Sequence, residues 1–247
     1  MNEIIKVEDL KRDFVVGEET VHALRDLSFT IAEGEFVTIM GTSGSGKSTL
    51  LNILGCLDIP TGGEYYLDGV PVRKMGKNDR ALLRNRKIGF VFQSYNLLPK
   101  TTALENVELP LLYNKTVNAA QRKEKSQKAL ESVGLADRVN HRSNQMSGGQ
   151  QQRVAIARAL VNDPVIILAD EATGNLDTRT SFEILTLFQD FHAQGRTILF
   201  VTHNHEIARY GSRNIVLRDG RVIEDTRNKN IASAKDTLAS LPAEEEE

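Results

Sequence analysis

The chain has 247 residues, enough for one large domain or two small ones around a buried core. Its 31 Lys and Arg residues nearly balance 33 Asp and Glu residues, for a net charge of -2, which argues against a dedicated nucleic-acid-binding protein because such proteins carry a basic excess. A single cysteine, Cys56, excludes an internal disulfide and fits a reducing cytosol, and the absence of a long apolar run or a signal-peptide pattern predicts a soluble protein.

Short apolar runs within residues 3–35 predict β-strands, and Gly34 marks a turn before a further apolar strand over residues 36–40. Two aspartate-glycine pairs, Asp68-Gly69 and Asp219-Gly220, are typical of tight hairpin turns between antiparallel strands. These features predict an antiparallel β-subdomain.

The octapeptide GTSGSGKS follows the apolar strand and matches the pattern G-x-x-x-x-G-K-[ST]. Such a loop wraps backbone N–H groups around the phosphates of ATP or GTP, with a helix, here predicted over about 48–57, directed at the same anion. Lys47 is expected to reach the β- and γ-phosphates and Ser48 to offer its hydroxyl to Mg²⁺. The alternative is a flexible glycine-serine turn. Nucleotide contacts are predicted for Gly41, Thr42, Ser43, Gly44, Ser45, Gly46, Lys47, Ser48 and Thr49.

Between about residues 95 and 160 the pattern becomes helical, and Gly134 stands where a helix C-terminus favours glycine. Two uninterrupted apolar runs follow, at residues 165–169 and 198–201, separated by a predicted helix over about 178–194. Runs of this kind are typical of parallel strands covered on both faces. The prediction is an α/β protein in which a mainly parallel sheet is joined by the antiparallel β-subdomain and an inserted α-helical subdomain over about 95–160.

The residues just after the apolar strands are polar, and in an open parallel sheet these positions meet at the edge where ligands bind. They are Gln93, the pair Asp170 and Glu171, and His203. Asp170 is predicted to bind the Mg²⁺ that bridges the β- and γ-phosphates, and Glu171 to polarise the attacking water. Each has an ordinary alternative, since an acidic pair in a loop is usually solvated surface and a lone histidine is usually structural.

The segment NQMSGGQQQRVAIARAL carries the most specific signal. Ser147 can cap a helix whose first turn holds Gly148 and Gly149, although glycine in a helix costs roughly 1 kcal/mol relative to alanine. That cost is explained if the N–H groups of the first turn bind a large anion; the alternative is an ordinary glycine-containing helix start. Together with the phosphate loop, this turn predicts that the γ-phosphate is held from two sides.

The motifs GTSGSGKS, MSGGQ, VIILADE, NLD and VTHN, in this order and spacing, make residues 3–225 resemble the nucleotide-binding subunit of an ABC transporter. The resemblance implies a P-loop NTPase (RecA-like) core that hydrolyses ATP with Mg²⁺. The stretches NILGCLD, FVFQSYNLLP and ADEATGNLD are similar to sequences in the subgroup of macrolide-exporter and lipoprotein-releasing ATPases. Cell-division and antimicrobial-peptide-resistance ATPases have similar sequences. Residues 226–247, which end in AEEEE, are predicted to form a solvated acidic tail.

Members of that family pair head to tail and sandwich two ATP molecules between two subunits. The resemblance implies that Asp177 signals across this homodimer, that His203 contacts the γ-phosphate, and that Gln93 contacts the metal and couples the nucleotide to the helical subdomain. It assigns a contact with the partner subunit's nucleotide to Ser147, Gly148, Gly149 and Gln150.

Three positions depart from the family pattern. Ala172 replaces the usual proline after the glutamate, and Met146 replaces the customary leucine at nearly constant volume. Phe14 stands where an aromatic residue, commonly tyrosine, stacks on adenine. The first two exchanges leave the chemical groups of the site unchanged. The phenyl ring of Phe14 can still stack on a base, and packing in the core is the alternative.

Because the chain has no predicted membrane span, the resemblance implies a separate permease at the cytoplasmic face of the cell membrane, with or without a periplasmic or extracellular adaptor, for export, lipoprotein release or efflux of peptides and drugs. Leu97, Leu98, Leu111 and Leu112 are candidates for the permease contact, with internal packing as the alternative. Two other functions stay open: a mechanical regulator that transmits motion across the membrane, and a non-transport ATPase of DNA repair or translation. The transporter interpretation includes no nucleic-acid partner.

Overall fold

The computed structural model describes residues 2–242. Its strands are β1 (Glu3–Val16), β2 (Glu19–Ala32), β3 (Phe36–Met40), β4 (Gly62–Leu67), β5 (Val70–Pro71), β6 (Ile88–Phe92), β7 (Ile166–Asp170), β8 (Ile198–Thr202), β9 (Arg213–Arg218) and β10 (Arg221–Arg227). Its α-helices are α1 (Lys47–Leu54), α2 (Lys77–Lys87), α3 (Ala103–Glu108), α4 (Ala119–Ser132), α5 (Gly148–Leu160), α6 (Thr178–Ala193) and α7 (Ala234–Ser240). Short 3-10 helices lie at Leu109–Tyr113, Ser143–Gln145 and Ile207–Tyr210.

The strands form two sheets. Strands β2, β1, β4 and β5, in that order, make an antiparallel sheet. The central sheet has the order β10-β9-β3-β8-β7-β6 and is parallel except for β10, which pairs with β9 through an antiparallel hairpin. Its carboxyl ends therefore place the residues after β3, β6, β7 and β8 on one edge, as the apolar runs predict. The predicted fold class is confirmed.

Alternating side chains divide the core between the two faces of the central sheet. In β8, Ile198 and Phe200 belong to the hydrophobic cluster that contains α5 and α6, whereas Leu199 and Val201 belong to the cluster that contains α1 and the antiparallel sheet. Both faces of the central strands are consequently buried, which explains why their sequences are apolar without interruption. Gly89 in β6 allows the backbone of α5 to approach, since a Cβ there would lie 2.5 Å from a carbonyl oxygen of α5.

Local sequence signals start and end the elements. Capping boxes begin α3, α4 and α5, where the N-cap side chain and the side chain three residues later each accept a hydrogen bond from the other's backbone N–H. Gly134, with φ +76°, follows the end of α4. Both aspartate-glycine pairs have positive φ at both residues, as a type I′ hairpin turn requires. The helix predicted after the phosphate loop ends earlier than expected, at Leu54.

The predicted boundary of the acidic tail at residue 226 is wrong. Strand β10 continues to Arg227, and α7 then packs against α6 with Ala234 fully buried. The run AEEEE, residues 243–247, lies outside the described residues. Neither α2 nor α7 was predicted: α2 buries none of its residues, so it has no strong apolar period, and α7 has only 7 residues. In the described part of the chain, every helix is too short or too polar to cross a membrane.

Candidate active site

A cavity of about 870 Å³ opens at the carboxyl end of β3, beside the first turn of α1. Most of the predicted phosphate loop lines it, together with two residues that follow β7 and β8. These lining residues are Gly41, Thr42, Ser43, Gly44, Gly46, Lys47, Ser48, Thr49, Glu171 and His203. The structure thus brings together residues more than a hundred positions apart at the edge of the sheet where the strand order predicts a ligand.

The phosphate loop has the backbone that its glycines permit. Gly44 and Gly46 have φ values of +79° and +101°, in the left-handed region that disfavours a Cβ. The Nζ of Lys47 donates hydrogen bonds to the carbonyl oxygens of Gly41 and Thr42, at 2.7 and 2.8 Å. Burial lowers the pKa of Lys47, while the nearby carboxylates of Glu171 and Asp170 act in the opposite direction. The ammonium group is held inside the loop, where its charge is weakly hydrated.

An acidic pair lies opposite this ammonium group. Asp170 is the last residue of β7; burial and then the charge of Glu171 raise its pKa, and Lys47 lowers it in part. Glu171 has φ +44°, and its N–H donates to the carbonyl of Val201 in β8 at 2.9 Å. Its Oε1 lies 2.7 Å from Nδ1 of His203. Glu171 lines the cavity, and a carboxylate at this position has the chemistry of a general base for an attacking water.

The residues at this edge suit Mg²⁺, which prefers oxygen ligands and usually binds proteins through one or two carboxylates together with phosphate oxygens. Ser48 lines the cavity and offers a hydroxyl, whereas Asp170, at the end of β7 and next to the lining residue Glu171, offers a carboxylate but does not itself line the cavity. The structure does not bring the third predicted ligand, Gln93, into the cavity lining. Its Nε2 donates to Oδ1 of Asn175 at 3.2 Å, and Nδ2 of Asn175 donates to the Gln93 carbonyl at 3.2 Å.

The glycine-rich start of α5 lies outside the cavity, as do all the residues predicted to contact a partner's nucleotide or to signal across the dimer. These are Ser147, Gly148, Gly149, Gln150 and Asp177. Ser147 caps α5, because its Oγ accepts a hydrogen bond from the N–H of Gln150 at 3.3 Å. Asp177 caps α6 by accepting from the N–H of Thr180 at 2.9 Å, and hydrogen bonds from Thr180 lower its pKa. The two helix starts touch, since a Cβ on Gly149 would lie 2.5 Å from Cγ2 of Thr180.

Comparison with known proteins identifies the fold and its chemistry. The family model of the ABC transporter matches residues 24–174. The chain belongs to the ABC transporter family. An uncharacterized ABC transporter ATP-binding protein of Thermotoga maritima is 58% identical to this cassette over 222 residues, 90% of this chain and 94% of that protein.

Two further relatives refine this assignment. The macrolide export ATP-binding/permease protein MacB of Brucella melitensis is 49% identical over 235 residues, 95% of this chain but 36% of that protein, so the cassette spans little more than a third of it. The dimeric ATP-binding cassette MJ0796, in a post-hydrolysis state bound to ADP and Pi, has a TM-score of 0.83 and 46% identity, covering 91% of this chain and 99% of that one. The predictions of an ABC ATPase and of similarity to macrolide-exporter ATPases are confirmed.

Phe14 lies beside the cassette's cavity without lining it. Its cross-strand partner Val21 lines the cavity, and the Phe14 ring is 37% exposed. One face of the ring lies under the guanidinium of Arg12, 4.4 Å from the ring centroid, and Arg12 is held by both carboxylate oxygens of Asp58, at 2.8 and 3.2 Å. The ring is thus neither part of the core nor part of the cavity wall, and its stacking on adenine stays a prediction.

Several lining residues of the cassette escaped sequence reasoning because no local motif marks them. They are Val21, His22, Ala23, Arg25, His205, Asp219 and Gly220. The Asp219-Gly220 turn was predicted only as a hairpin. In the structure it touches both β2 and the phosphate loop: Gly220 accepts from the N–H of Arg25 at 2.7 Å and donates to the carbonyl of Ser45 at 3.1 Å. Ser45, a predicted nucleotide contact, is itself buried beneath the loop and does not line the cavity.

The buried Gln152 of α5 also had no sequence signal. Its Nε2 donates to the carbonyl of Ala172 at 2.6 Å, which ties α5 to the turn that follows Glu171. Ala172 is itself buried, so the position where the family usually has proline is held by packing and by this hydrogen bond.

Proposed function

We propose that two copies of this cassette pair head to tail around two Mg²⁺-bound ATP molecules, and that closure of the pair drives a separate permease at the cytoplasmic face of the membrane. One observation supports this most directly: the phosphate loop lines a cavity, and neither the start of α5 at Ser147 nor Asp177 of the same chain lines it. The N–H groups at the start of α5, which suit an anion, therefore serve a nucleotide held by another copy, and Asp177 acts across the same interface.

Within one cassette, the residues of the cavity divide the work of hydrolysis. Lys47 neutralises charge on the β- and γ-phosphates, and Glu171 accepts the proton of the attacking water. Mg²⁺, held by Ser48 and Asp170, would neutralise the charge that develops on the phosphate oxygens. The contact with His203 occupies the carboxylate of the base, Glu171. When a γ-phosphate binds His203 instead, the Glu171 carboxylate becomes available to a water. Gln93, held by Asn175, relays the state of the site to the segment after β6.

The energy required for closure is modest. Moving a pair from 1 per cent to 99 per cent closed takes about 5.5 kcal/mol, or under about 3 kcal/mol for each of two nucleotides. A few charge-assisted hydrogen bonds to a γ-phosphate supply this. Hydrolysis then removes the group that those bonds contact, and the pair reopens. The cycle converts cleavage of ATP into movement of one subunit against the other.

Mixing two defective variants tests the shared site. With Glu171→Gln in both chains to slow hydrolysis, Lys47→Ala disables a chain's own phosphate loop, and Ser147→Arg blocks the turn it presents to its partner. Neither variant alone should associate on adding ATP, whereas a mixture should form heterodimers, because one complete site remains. Gel filtration with ATP measures this. Asn144→Arg, an exposed residue just before the turn, is the control and should associate by itself. Absence of heterodimers would contradict the proposal.

The permease contact is proposed on the exposed leucines of the helical subdomain. Leu98 and Leu112 are exposed, whereas Leu111 is buried and Leu97 packs against the core, so the structure divides the four candidates. The relationship to MacB, which is named as a macrolide export ATP-binding/permease protein, supports export with a permease as the direction of transport. An adaptor on the far side of the membrane stays part of this proposal.

Replacing Leu98 with aspartate should release the cassette from its permease. An exposed leucine that docks into a partner loses apolar burial, and the buried carboxylate adds a desolvation cost, so we expect at least about a tenfold loss of affinity. Co-purification with the permease and the ATPase rate of the free cassette are measured together. Leu82→Asp, an equally exposed leucine on α2, is a matched comparison that maps how far the contact extends. Undiminished co-purification of a normally folded Leu98→Asp variant would exclude this residue from the contact.

A further inference from the structure

The last described helix, α7, lies beyond the segment that the family model matches and is docked along α6. The side chain of Gln189 in α6 fastens its start: Nε2 donates to the carbonyls of Tyr210 and Ala232, at 3.0 and 2.8 Å, and Oε1 accepts from the N–H of Ala234 at 2.8 Å. Leu238 packs against the same core. Helix α7 is therefore an integral part of the helical layer.

The other end of this segment reaches the opposite end of α6. Nη2 of Arg179, in the first turn of α6, donates to the carbonyl of Pro242 at 2.6 Å. Since α7 begins beside Gln189, and Pro242, two residues beyond the end of α7, lies beside Arg179, the segment runs antiparallel to α6 and spans it from its last turns to its first. The C-terminal segment consequently contacts α6 at the turn that Asp177 caps.

That first turn of α6 is also where the two features proposed to face a partner meet. Asp177 caps it, and Thr180 lies against Gly149, the second glycine of the turn that begins α5. One turn further along, Glu183 pairs with Arg153 of α5 at 3.0 Å. A chain of direct contacts thus runs from α7 through the start of α6 to the glycine-rich start of α5. None of these residues lines the cavity that holds the cassette's own nucleotide.

We propose that α7 braces the face that each cassette presents to its partner's nucleotide, with Arg179 as a positioning residue. This inference rests on the proposed function. Contacts across the dimer need their groups held to within a fraction of an ångström, and helix ends are prone to local opening, which an additional anchor on the first turn of α6 reduces. When α7 is docked on α6, it suppresses that opening and holds Asp177 and the glycine-rich start of α5 in fixed positions. Loss of this docking therefore weakens closure of the dimer, whereas ATP binding within one chain is unaffected.

The test compares two aspartate substitutions on α7 in chains that carry Glu171→Gln. Leu238→Asp places a charge on the docked side of the helix, and Ala239→Asp places the same charge on its exposed side. Sedimentation with ATP measures dimer formation, and a fluorescent ATP analogue measures binding to monomers at high dilution. We expect Leu238→Asp to weaken the dimer about fivefold with unchanged binding to monomers, and Ala239→Asp to change neither.

A second variant avoids disturbing the core. Arg179→Ala should weaken the dimer in the same direction, and Arg179→Lys, which can still donate to the Pro242 carbonyl, should restore it. Arg73→Ala is the matched control, because Arg73 also donates to a backbone carbonyl, that of Gly63 at 2.9 Å, but in the antiparallel sheet.

The outcomes separate the two proposals. If the Glu171→Gln chain itself fails to dimerise with ATP, the proposed function is wrong, and the proposed role of α7, which rests on it, is wrong as well. If that chain dimerises, and the Leu238→Asp and Arg179→Ala variants made in it dimerise equally well, only the proposed role of α7 is wrong. Equal losses in dimer formation and in binding to monomers would also overturn it, since α7 would then support the whole fold.

Discussion

Replacing Lys47 with alanine is expected to abolish ATP hydrolysis by the cassette, with a loss of at least about a hundredfold, the cost of removing one preorganised group from a developing negative charge. The Lys47 ammonium is the positive side chain of the phosphate loop. It is buried, which lowers its pKa and leaves its charge poorly hydrated, so the charge interacts strongly with an anion. Without Lys47, the loop has no positive side chain to offset the charge of bound phosphates and of the nearby carboxylates Asp170 and Glu171. Phosphate release under saturating ATP measures the effect.

Lys74→Ala is the matched control for this substitution. Lys74 is an exposed lysine outside the cavity, so its loss removes the same charge without touching the site. Its hydrolysis rate should stay within about twofold of the unmodified chain, because isolated surface charges contribute little. Turnover by Lys47→Ala at the rate of this control would refute the assignment of the phosphate loop.

Replacing Glu171 with glutamine should reduce hydrolysis by about a thousandfold, the usual contribution of a general base, while ATP still binds. The amide keeps the shape of the side chain and can still contact Nδ1 of His203, but it cannot accept a proton from water. Because reopening depends on loss of the γ-phosphate, the variant should accumulate as an ATP-bound dimer. Gel filtration with and without ATP, together with single-turnover hydrolysis, measures both effects.

Glu131→Gln controls for the loss of one negative charge, since Glu131 is an exposed residue of α4 that does not line the cavity. It should hydrolyse ATP normally and form no lasting dimer. Two results would contradict the assignment of Glu171 as the base: persistent hydrolysis by Glu171→Gln, or a variant that binds ATP without hydrolysing it yet remains monomeric.

The parts of this cassette that depend on near neighbours could be predicted from sequence. The phosphate loop lies within nine consecutive residues, and two of its glycines, Gly44 and Gly46, have the positive φ that glycine permits. The same holds for the two aspartate-glycine turns and for the cap of Ser147 on α5, whose partner Gln150 is three residues away. These structures form from contacts within one turn, so a short pattern contains all the atoms that make them.

Other features depend on which strands become neighbours. Glu171 and His203 meet because β7 and β8 pair in parallel, and the Asp219-Gly220 turn reaches Ser45 because β9 lies beside β3. Gln93 was predicted as a metal ligand, but its side chain is bound to Asn175, a residue 82 positions away. No local pattern specifies such a partner, since the choice is made by the packing of whole elements.

The sequence by itself determined the phosphate loop, the acidic pair that ends β7, and the glycine-rich start of α5, because each is encoded in a few adjacent residues. Only the tertiary structure decided that the start of α5 lies outside the cavity, that His22 and Gly220 line it, and that α7 is docked on α6 rather than part of a tail. The physical reason is that these contacts join residues distant in the chain, and their free energy comes from burial shared among several elements, which no single segment contains.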